Sequence, residues 1–156
     1  MESLIICKSS HHGNTKKIAK VMAEILGSAI VEPREITDLD VLKVYDLIGF
    51  GSGIYGHRHQ SDLLDLACRL PDLGYKKAFI FSTSWKGIGG AAKSHRVLRM
   101  KLMGKGLNVI GEFACKGFTT WGPFKLIRGV NKGKPDNEDL EGAKKFAAGL
   151  KNRIKK

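Results

Sequence analysis

The chain lacks paired cysteines. Its three cysteines, Cys7, Cys68 and Cys115, are scattered, and no CxxC motif occurs. This absence removes the usual ligands of zinc ribbons and iron–sulfur clusters and the motif of thioredoxin-type chemistry. Because Cys7 lies in a strand pattern and Cys68 in a helical one, we expect both to be buried structural thiols. Cys115 lies at a predicted strand end and is the one we expect to be exposed.

Long apolar runs are also missing. No run approaches the roughly 20 residues that span a bilayer, and residues 1–20 lack the basic head and apolar segment of a signal peptide. We therefore expect a cytoplasmic protein without a membrane partner. The length of 156 residues, with 42% hydrophobic and 27% charged residues and no visible repeat, predicts one globular domain over residues 1–156.

Acidic residues are scarce in the second half of the chain. Residues 1–78 contain 10 basic and 10 acidic residues. Residues 79–156 contain 17 basic and 5 acidic residues and so carry the whole net charge of +12. Between Ser82 and Pro135 the only acid is Glu112, against 11 basic residues. Such a one-sided charge either serves solubility or steers an acidic partner toward the protein.

Short apolar runs alternate with helical patterns along the chain. Strands are predicted at Leu4–Cys7, Ala29–Val31, Leu47–Phe50, Ala78–Phe81 and Asn108–Phe113, and helices at Thr15–Leu26, about Gln60–Leu70, 91–103 and Asp136 or Asn137 to about Ile154. This alternation predicts an α/β fold, a doubly wound five-stranded parallel sheet of order 2-1-3-4-5. The loops after strands one, three and four then share the carboxyl edge, where ligands bind.

The loop between the first strand and the first helix has the composition of an anion site. It contains Ser10, His11, His12, Gly13, Asn14 and Thr15. The first N–H groups of a helix have no partner within the helix, and the helix dipole makes that end partly positive. A phosphate is therefore expected here, with added donors from the Ser10 and Thr15 hydroxyls.

Two further loops combine flexible backbone with flat or apolar side chains. Gly51–Gly56 contains Ile54 and Tyr55, and Ser82–Gly87 contains three hydroxyl residues and Trp85. Together with the phosphate loop, they predict a planar aromatic ring held between two walls, since stacked aromatic contacts contribute about 0.5–1.5 kcal/mol beyond area burial.

At these residues the sequence resembles the flavodoxin family. The stretch from Ser10 to Thr15 is similar to the family's phosphate loop, [ST]-x-T-G-[NK]-T, with His12 in place of the usual threonine. The likeness extends over essentially the whole chain, through Gly-Ser-Gly-Ile-Tyr, Ser-Thr-Ser-Trp and a tail at Gly129–Pro135. It is greatest to small flavodoxin-like proteins of anaerobic microbes and archaea.

The resemblance implies bound FMN and a task in electron transfer. It implies that the phosphate loop holds the phosphate, that Ile54 or Tyr55 covers one ring face and Trp85 the other, and that Gly53 lies at a flexible peptide near the ring. The implied cofactor-binding residues are Ser10, His11, His12, Gly13, Asn14, Thr15, Ser52, Gly53, Ile54, Tyr55, Ser82, Thr83, Ser84, Trp85, Lys86, Gly87, Gly89 and Gly90.

Three functions stay open at this point. The first is an FMN electron carrier, monomeric or homodimeric, serving an acidic redox protein such as a ferredoxin or an oxidoreductase. The second is an FMN enzyme of the same fold that reduces a quinone, a porphyrinogen or flavin with NAD(P)H, using the long loop 116–135 as a roof. The third is a basic module without FMN, although no nucleic-acid motif occurs. In that long loop we expect Phe118, Trp121 and Phe124 to form a local cluster.

Overall fold

The computed structural model describes residues 1–154, so the last two residues of the predicted domain lie outside the described part. Strands cover Ser3–Lys8 (β1), Ala29–Val31 (β2), Leu47–Tyr55 (β3), Arg58–His59 (β4), Lys77–Ser84 (β5) and Asn108–Lys116 (β6). The α-helices cover Asn14–Leu26 (α1), Ser61–Arg69 (α2), Ile88–Met103 (α3) and Asn137–Ile154 (α4). Short 3-10 helices cover His11–Gly13, Pro33–Glu35, Leu39–Val44 and Gly122–Ile127.

The main strands form a parallel sheet in the order β2-β1-β3-β5-β6. This confirms the predicted doubly wound α/β fold, with β6 as the fifth strand of the predicted order. The short β4 was not expected. It turns back and pairs antiparallel with the end of β3, joining Ile54 to His59 and Tyr55 to Arg58.

The alternation of side chains along each strand supplies both faces of the sheet with apolar groups. On one face, Ile5, Phe79 and Phe81 pack with apolar residues of α1 and α4. On the other face, Ile6 and Ile80 pack with leucines of α2 and α3. The helices therefore cover both sides of the sheet and leave its carboxyl edge to the loops. Among the described residues, no helix combines the length and apolar character needed to cross a bilayer.

β3 and β5 continue beyond their predicted ends at Phe50 and Phe81. Their backbones stay in register, pairing Ser52 with Ser82 and Gly53 with Thr83. The glycines that suggested a loop instead make room for aromatic rings, because a Cβ at Gly51 would lie 2.1 Å from the ring of Phe81. The predicted loop residues Ser52–Tyr55 and Ser82–Ser84 are therefore strand residues at the carboxyl edge.

The cysteines correct the sequence-based expectation in two places. Cys7 is buried as predicted, but Cys68 is exposed and Cys115 is buried. Cys68 lies on α2 beside the buried Ala67 and faces away from the core, where the Lys101 ammonium contacts its sulfur at 3.2 Å. Cys115 faces α4 and belongs to the core on that side. Burial raises the pKa of both Cys7 and Cys115 to about 12, so these thiols stay protonated.

Candidate functional site

The phosphate loop forms a tight turn directly before α1. His11, His12 and Gly13 have φ values of 38°, 61° and 65°, so three consecutive residues adopt the left-handed region. Such a run is a tight turn, a conformation in which successive N–H groups can form a concave anion-binding nest. The positive end of the α1 dipole adds to its attraction for anions.

Several side chains of this loop make contacts within the protein. The Ser10 hydroxyl donates to Gln60 Oε1 at 2.8 Å, and Thr15 Oγ1 shares a hydrogen bond of 2.8 Å with Thr83 Oγ1. The His12 ring turns to the long loop, where its Nε2 lies 3.2 Å from Thr120 Oγ1. The backbone N–H groups of the nest are therefore the donors best placed for an anion.

A cleft opens beside this loop at the carboxyl edge of the sheet. Its cavity volume is about 110 Å³, and its mouth is open to solvent. The predicted site residues that line it are Asn14, Ile54, Tyr55, Thr83, Ser84, Trp85, Lys86 and Gly90. Three separate segments of the sequence thus meet at one cleft, as the sheet order predicts.

The other predicted residues lie around the cleft without lining it. Ser10, His11, His12, Gly13 and Thr15 form the adjoining phosphate loop. Ser52, Gly53 and Ser82 lie in the strands beneath it. Gly87 and Gly89 border a different depression, shared with residues of β6 and α4.

The long loop after β6 supplies residues that were not among the predicted cofactor-binding residues. These are Gly117, Phe118, Thr119, Trp121 and Phe124, and the β3–β4 turn adds Gly56 and His57. The expected local aromatic cluster is wrong in its pairings. Instead, the Phe118 ring packs on His12 at 4.3 Å between centroids, Trp121 packs on Tyr55 at 5.9 Å and Phe124 packs on Trp85 at 5.1 Å.

Hydrogen bonds hold this loop over the cleft. Asn14 Nδ2 donates to the Phe118 carbonyl at 2.6 Å, which ties the loop to the start of α1. Thr119 and Val130 exchange two backbone hydrogen bonds of 3.1 and 2.9 Å and close the loop on itself. Asn131 Nδ2 donates to the Trp85 carbonyl at 2.8 Å. The loop therefore forms a fixed wall of the cleft.

The chemistry of the cleft suits a flat ring that carries a phosphate. Tyr55, Trp85 and Trp121 provide planar surfaces, and the Lys86 ammonium lies 4.8 Å from the centroid of the Trp85 ring. Asn14 Oδ1 is buried and has no hydrogen-bond partner among the described residues. An acceptor in this position fits a ligand hydroxyl, and the phosphate nest fits an anionic end.

Comparison with known proteins agrees with this fold. The family model described as "Flavodoxin domain" matches residues 5–117. An uncharacterized protein of Methanocaldococcus jannaschii is 44% identical over 152 residues, covering 96% of this chain and 98% of that protein. The structure is similar to a flavodoxin from the domain Archaea (TM-score 0.67, 16% identity, all of both chains). It is also similar to oxidised Flavodoxin 2 from Bacillus cereus (TM-score 0.71, 20% identity, 98% and 99% of the two chains).

The fold and the cleft define a flavodoxin-like α/β protein. The chain belongs to the flavodoxin domain family, as the resemblance of its phosphate loop implies. Membership of this family implies a flavin cofactor and a role in redox chemistry with some partner.

Proposed function

We propose that the chain is an FMN-dependent electron-transfer protein. The observation that carries this proposal is the cleft itself, in which aromatic side chains from β3, from the residue after β5 and from the long loop meet beside an anion-binding turn. FMN supplies the redox chemistry when bound, and the protein supplies binding, orientation and electrostatics.

Each part of the cleft has a task in this proposal. The backbone N–H groups of residues 11–15 hold the phosphate, while Asn14 Oδ1 accepts from a hydroxyl of the ribityl chain. Tyr55 and Trp85, each drawn from a different strand end, cover the two faces of the ring. The wall formed by Trp121 and Phe124 excludes water from the ring, and Lys86 lowers the cost of added negative charge.

The rim of the cleft suits an acidic protein partner. Trp85 and Trp121 are 43% and 47% exposed, and Leu126 and Ile127 are 88% and 64% exposed on the neighbouring 3-10 helix. Lys125 and Arg128 flank this apolar tip. We therefore propose an acidic redox protein, such as a ferredoxin or an oxidoreductase, as the partner, since apolar contact at the centre and opposite charge around it favour fast association.

The proposal is tested by titrating the purified protein with FMN and then reducing the complex stepwise. We expect one equivalent of FMN to bind, with quenched flavin fluorescence and two separate one-electron reductions. Absence of FMN uptake would overturn the proposal. If a protein without flavin binds nucleic acid with a steep salt dependence, the basic-module function is correct instead.

The long loop favours one second candidate, an FMN enzyme of the same fold. Phe118, Trp121 and Phe124 enclose the cleft from above and could stack on a planar substrate such as a quinone, a porphyrinogen or a free flavin. Steady consumption of NAD(P)H by the pure holoprotein, without any added reductase, would select this candidate over the carrier.

A further inference from the structure

A chain of buried hydrogen bonds lies beneath the cleft, and its residues do not line the cleft. The Ser82 hydroxyl on β5 lies 2.7 Å from His95 Nε2 on α3, and His95 Nδ1 lies 3.0 Å from Glu112 Oε2 on β6. The second carboxylate oxygen of Glu112 accepts from the Arg99 side chain. Ser82 and His95 are 1% and 2% exposed. We call Ser82, His95 and Glu112 the relay.

Burial and neighbouring groups determine the protonation states of Glu112 and His95. Partial burial acts to raise the pKa of Glu112, but hydrogen bonds from Arg99 and His95 outweigh it and lower that pKa, so Glu112 is a carboxylate. Nδ1 of His95 therefore carries a hydrogen and donates it. Because burial lowers the pKa of His95, the ring is neutral at rest and its Nε2 accepts the Ser82 O–H.

The same arrangement serves nucleophilic catalysis in serine hydrolases, but burial excludes that use here. A nucleophilic hydroxyl must reach its substrate, and Ser82 is enclosed between the sheet and α3. The relay is instead suited to hold a proton, because His95 has a fixed counter-ion in Glu112 and a hydroxyl partner that accepts as readily as it donates.

A second Ser–His pair lies beside the relay. Ser52 is the register partner of Ser82, its hydroxyl donates to the Gly53 carbonyl at 2.9 Å, and His59 Nδ1 donates to it at 2.7 Å. The His59 and His95 rings stack with centroids 5.4 Å apart. Burial, and to a lesser extent His95, lower the pKa of His59 to about 3. His59 therefore stays neutral, and an added proton goes to His95.

The relay adjoins the cleft along the backbone of β5. Thr83 and Ser84 follow Ser82 on β5 and line the cleft, and His57, two residues before His59, lines it on the other side. At its outer end, Glu112 has a side chain 26% exposed, so solvent reaches the relay there. The ionisable groups that face His95 are Glu112, Arg99 and His59. A new negative charge in the cleft would thus arise near a protonatable ring, with Lys86 also lining the cleft.

We propose that His95 takes up one proton from solvent when the flavin in the cleft is reduced, which makes the relay a proton-holding site for the redox reaction. An external reductant supplies the electron, a hydrated proton supplies the hydrogen, and an N–H bond forms at His95 Nε2. Ser82 then accepts from Nε2 instead of donating to it. The added positive charge offsets the negative charge gained in the cleft. This inference rests on the proposed FMN function.

The test follows the ring nitrogens of His95 by NMR in ¹⁵N-labelled protein loaded with FMN, oxidised and then reduced with dithionite. We expect the pKa of His95 to be higher in the reduced protein by about one unit, a tenfold gain in proton affinity. Glu112→Gln should lower that pKa in both states. Arg96→Gln, which removes an exposed charge from the same helix outside the relay, should leave the difference unchanged.

A second measurement tests the same proposal by following the reduction potential of the flavin. We expect His95→Gln to weaken the pH dependence of the flavin potential. The same variant should change the affinity for FMN by no more than about twofold, well below the tenfold change that corresponds to about 1.4 kcal/mol. Equal pKa values of His95 in the two redox states, with FMN bound, would overturn the relay and leave the carrier function intact. If the protein takes up no FMN, both proposals fail, and this is seen before any titration.

Discussion

Trp85 tests the aromatic wall at the scale of one residue. Its ring lines the cleft, contacts Phe124 and lies under Lys86. We expect Trp85→Ala to weaken FMN binding at least about fivefold, because a stacked aromatic contact is worth about 1 kcal/mol beyond its buried area. Isothermal titration calorimetry measures this change. Tyr75→Ala is the matched control, since Tyr75 is an aromatic residue 87% exposed and outside the cleft. Equal losses of FMN affinity in the two variants would contradict the assignment of Trp85 to the flavin site.

His59 makes the stability of the fold depend on pH. In the unfolded chain its imidazole takes a proton below its ordinary pKa of 6.5, whereas the folded protein keeps it neutral to about pH 3. The unfolded state therefore binds one more proton in this window. Stability should fall as the pH drops from 6.5 toward 3, by about 1.4 kcal/mol per pH unit for this group.

The measurement is urea unfolding of the wild type and of His59→Gln at several pH values. Glutamine can still donate to Ser52 but does not titrate, so the variant should lose this part of the slope. Carboxylates such as Glu112 affect both proteins alike, and the difference between them isolates His59. Parallel curves for the two proteins would show that His59 is protonated in the folded state.

At the scale of secondary structure, the glycines of β3 decide how closely the sheet packs. Gly51 lies opposite Phe81, whose ring fills the space that a side chain would need. We expect Gly51→Ala to destabilise the protein by about 2 kcal/mol through overpacking. Gly149→Ala on α4 is the control, because a Cβ there meets nothing within 4 Å. It should stabilise the helix by about 0.5–1 kcal/mol.

Thermal and urea unfolding of both variants check these opposite signs. If the steric reason is correct, Gly51→Ala combined with Phe81→Leu should recover part of the lost stability, since the smaller side chain vacates the space above the glycine. Destabilisation that is unchanged in the double variant would point to a different cause, such as backbone conformation.

The parallel strands and the α-helices are predictable from sequence because each has its own apolar period. The carboxyl ends of β3 and β5 are not, since Gly51, Ser52 and Ser82 are turn-forming residues that here satisfy packing and hydrogen bonding between distant strands. The same holds for the cleft. The sheet order predicts that the residues after β1, β3 and β5 lie together at the cleft. The contact of Trp121 with Tyr55, however, joins positions far apart in sequence. Local patterns carry no signal for such pairs.

At the scale of the whole molecule, the two halves of the sequence that differ in charge build different parts of the fold. The balanced half of the sequence builds β1 to β4 and the phosphate loop, and the basic half builds β5, α3, β6, the long loop and α4. The cleft lies where these halves meet, so one of its walls is nearly free of acids. The resulting field acts on anything negative that approaches the cleft or forms within it, as the proposed acidic partner requires.

This field predicts a raised potential for the reduction step that places negative charge on the flavin. A unit charge about 10 Å away contributes roughly 0.4–1.7 kcal/mol for dielectric constants between 80 and 20, and Lys86 lines the cleft. We expect Lys86→Gln to lower this potential and to lower it less at high salt, because screening already weakens the attraction. Lys76→Gln, at the amino edge of the sheet beside the start of β5, should have little effect. Redox titrations at two ionic strengths measure both variants. A shift of equal size in the two would mean that net charge, and not the wall of the cleft, sets the potential.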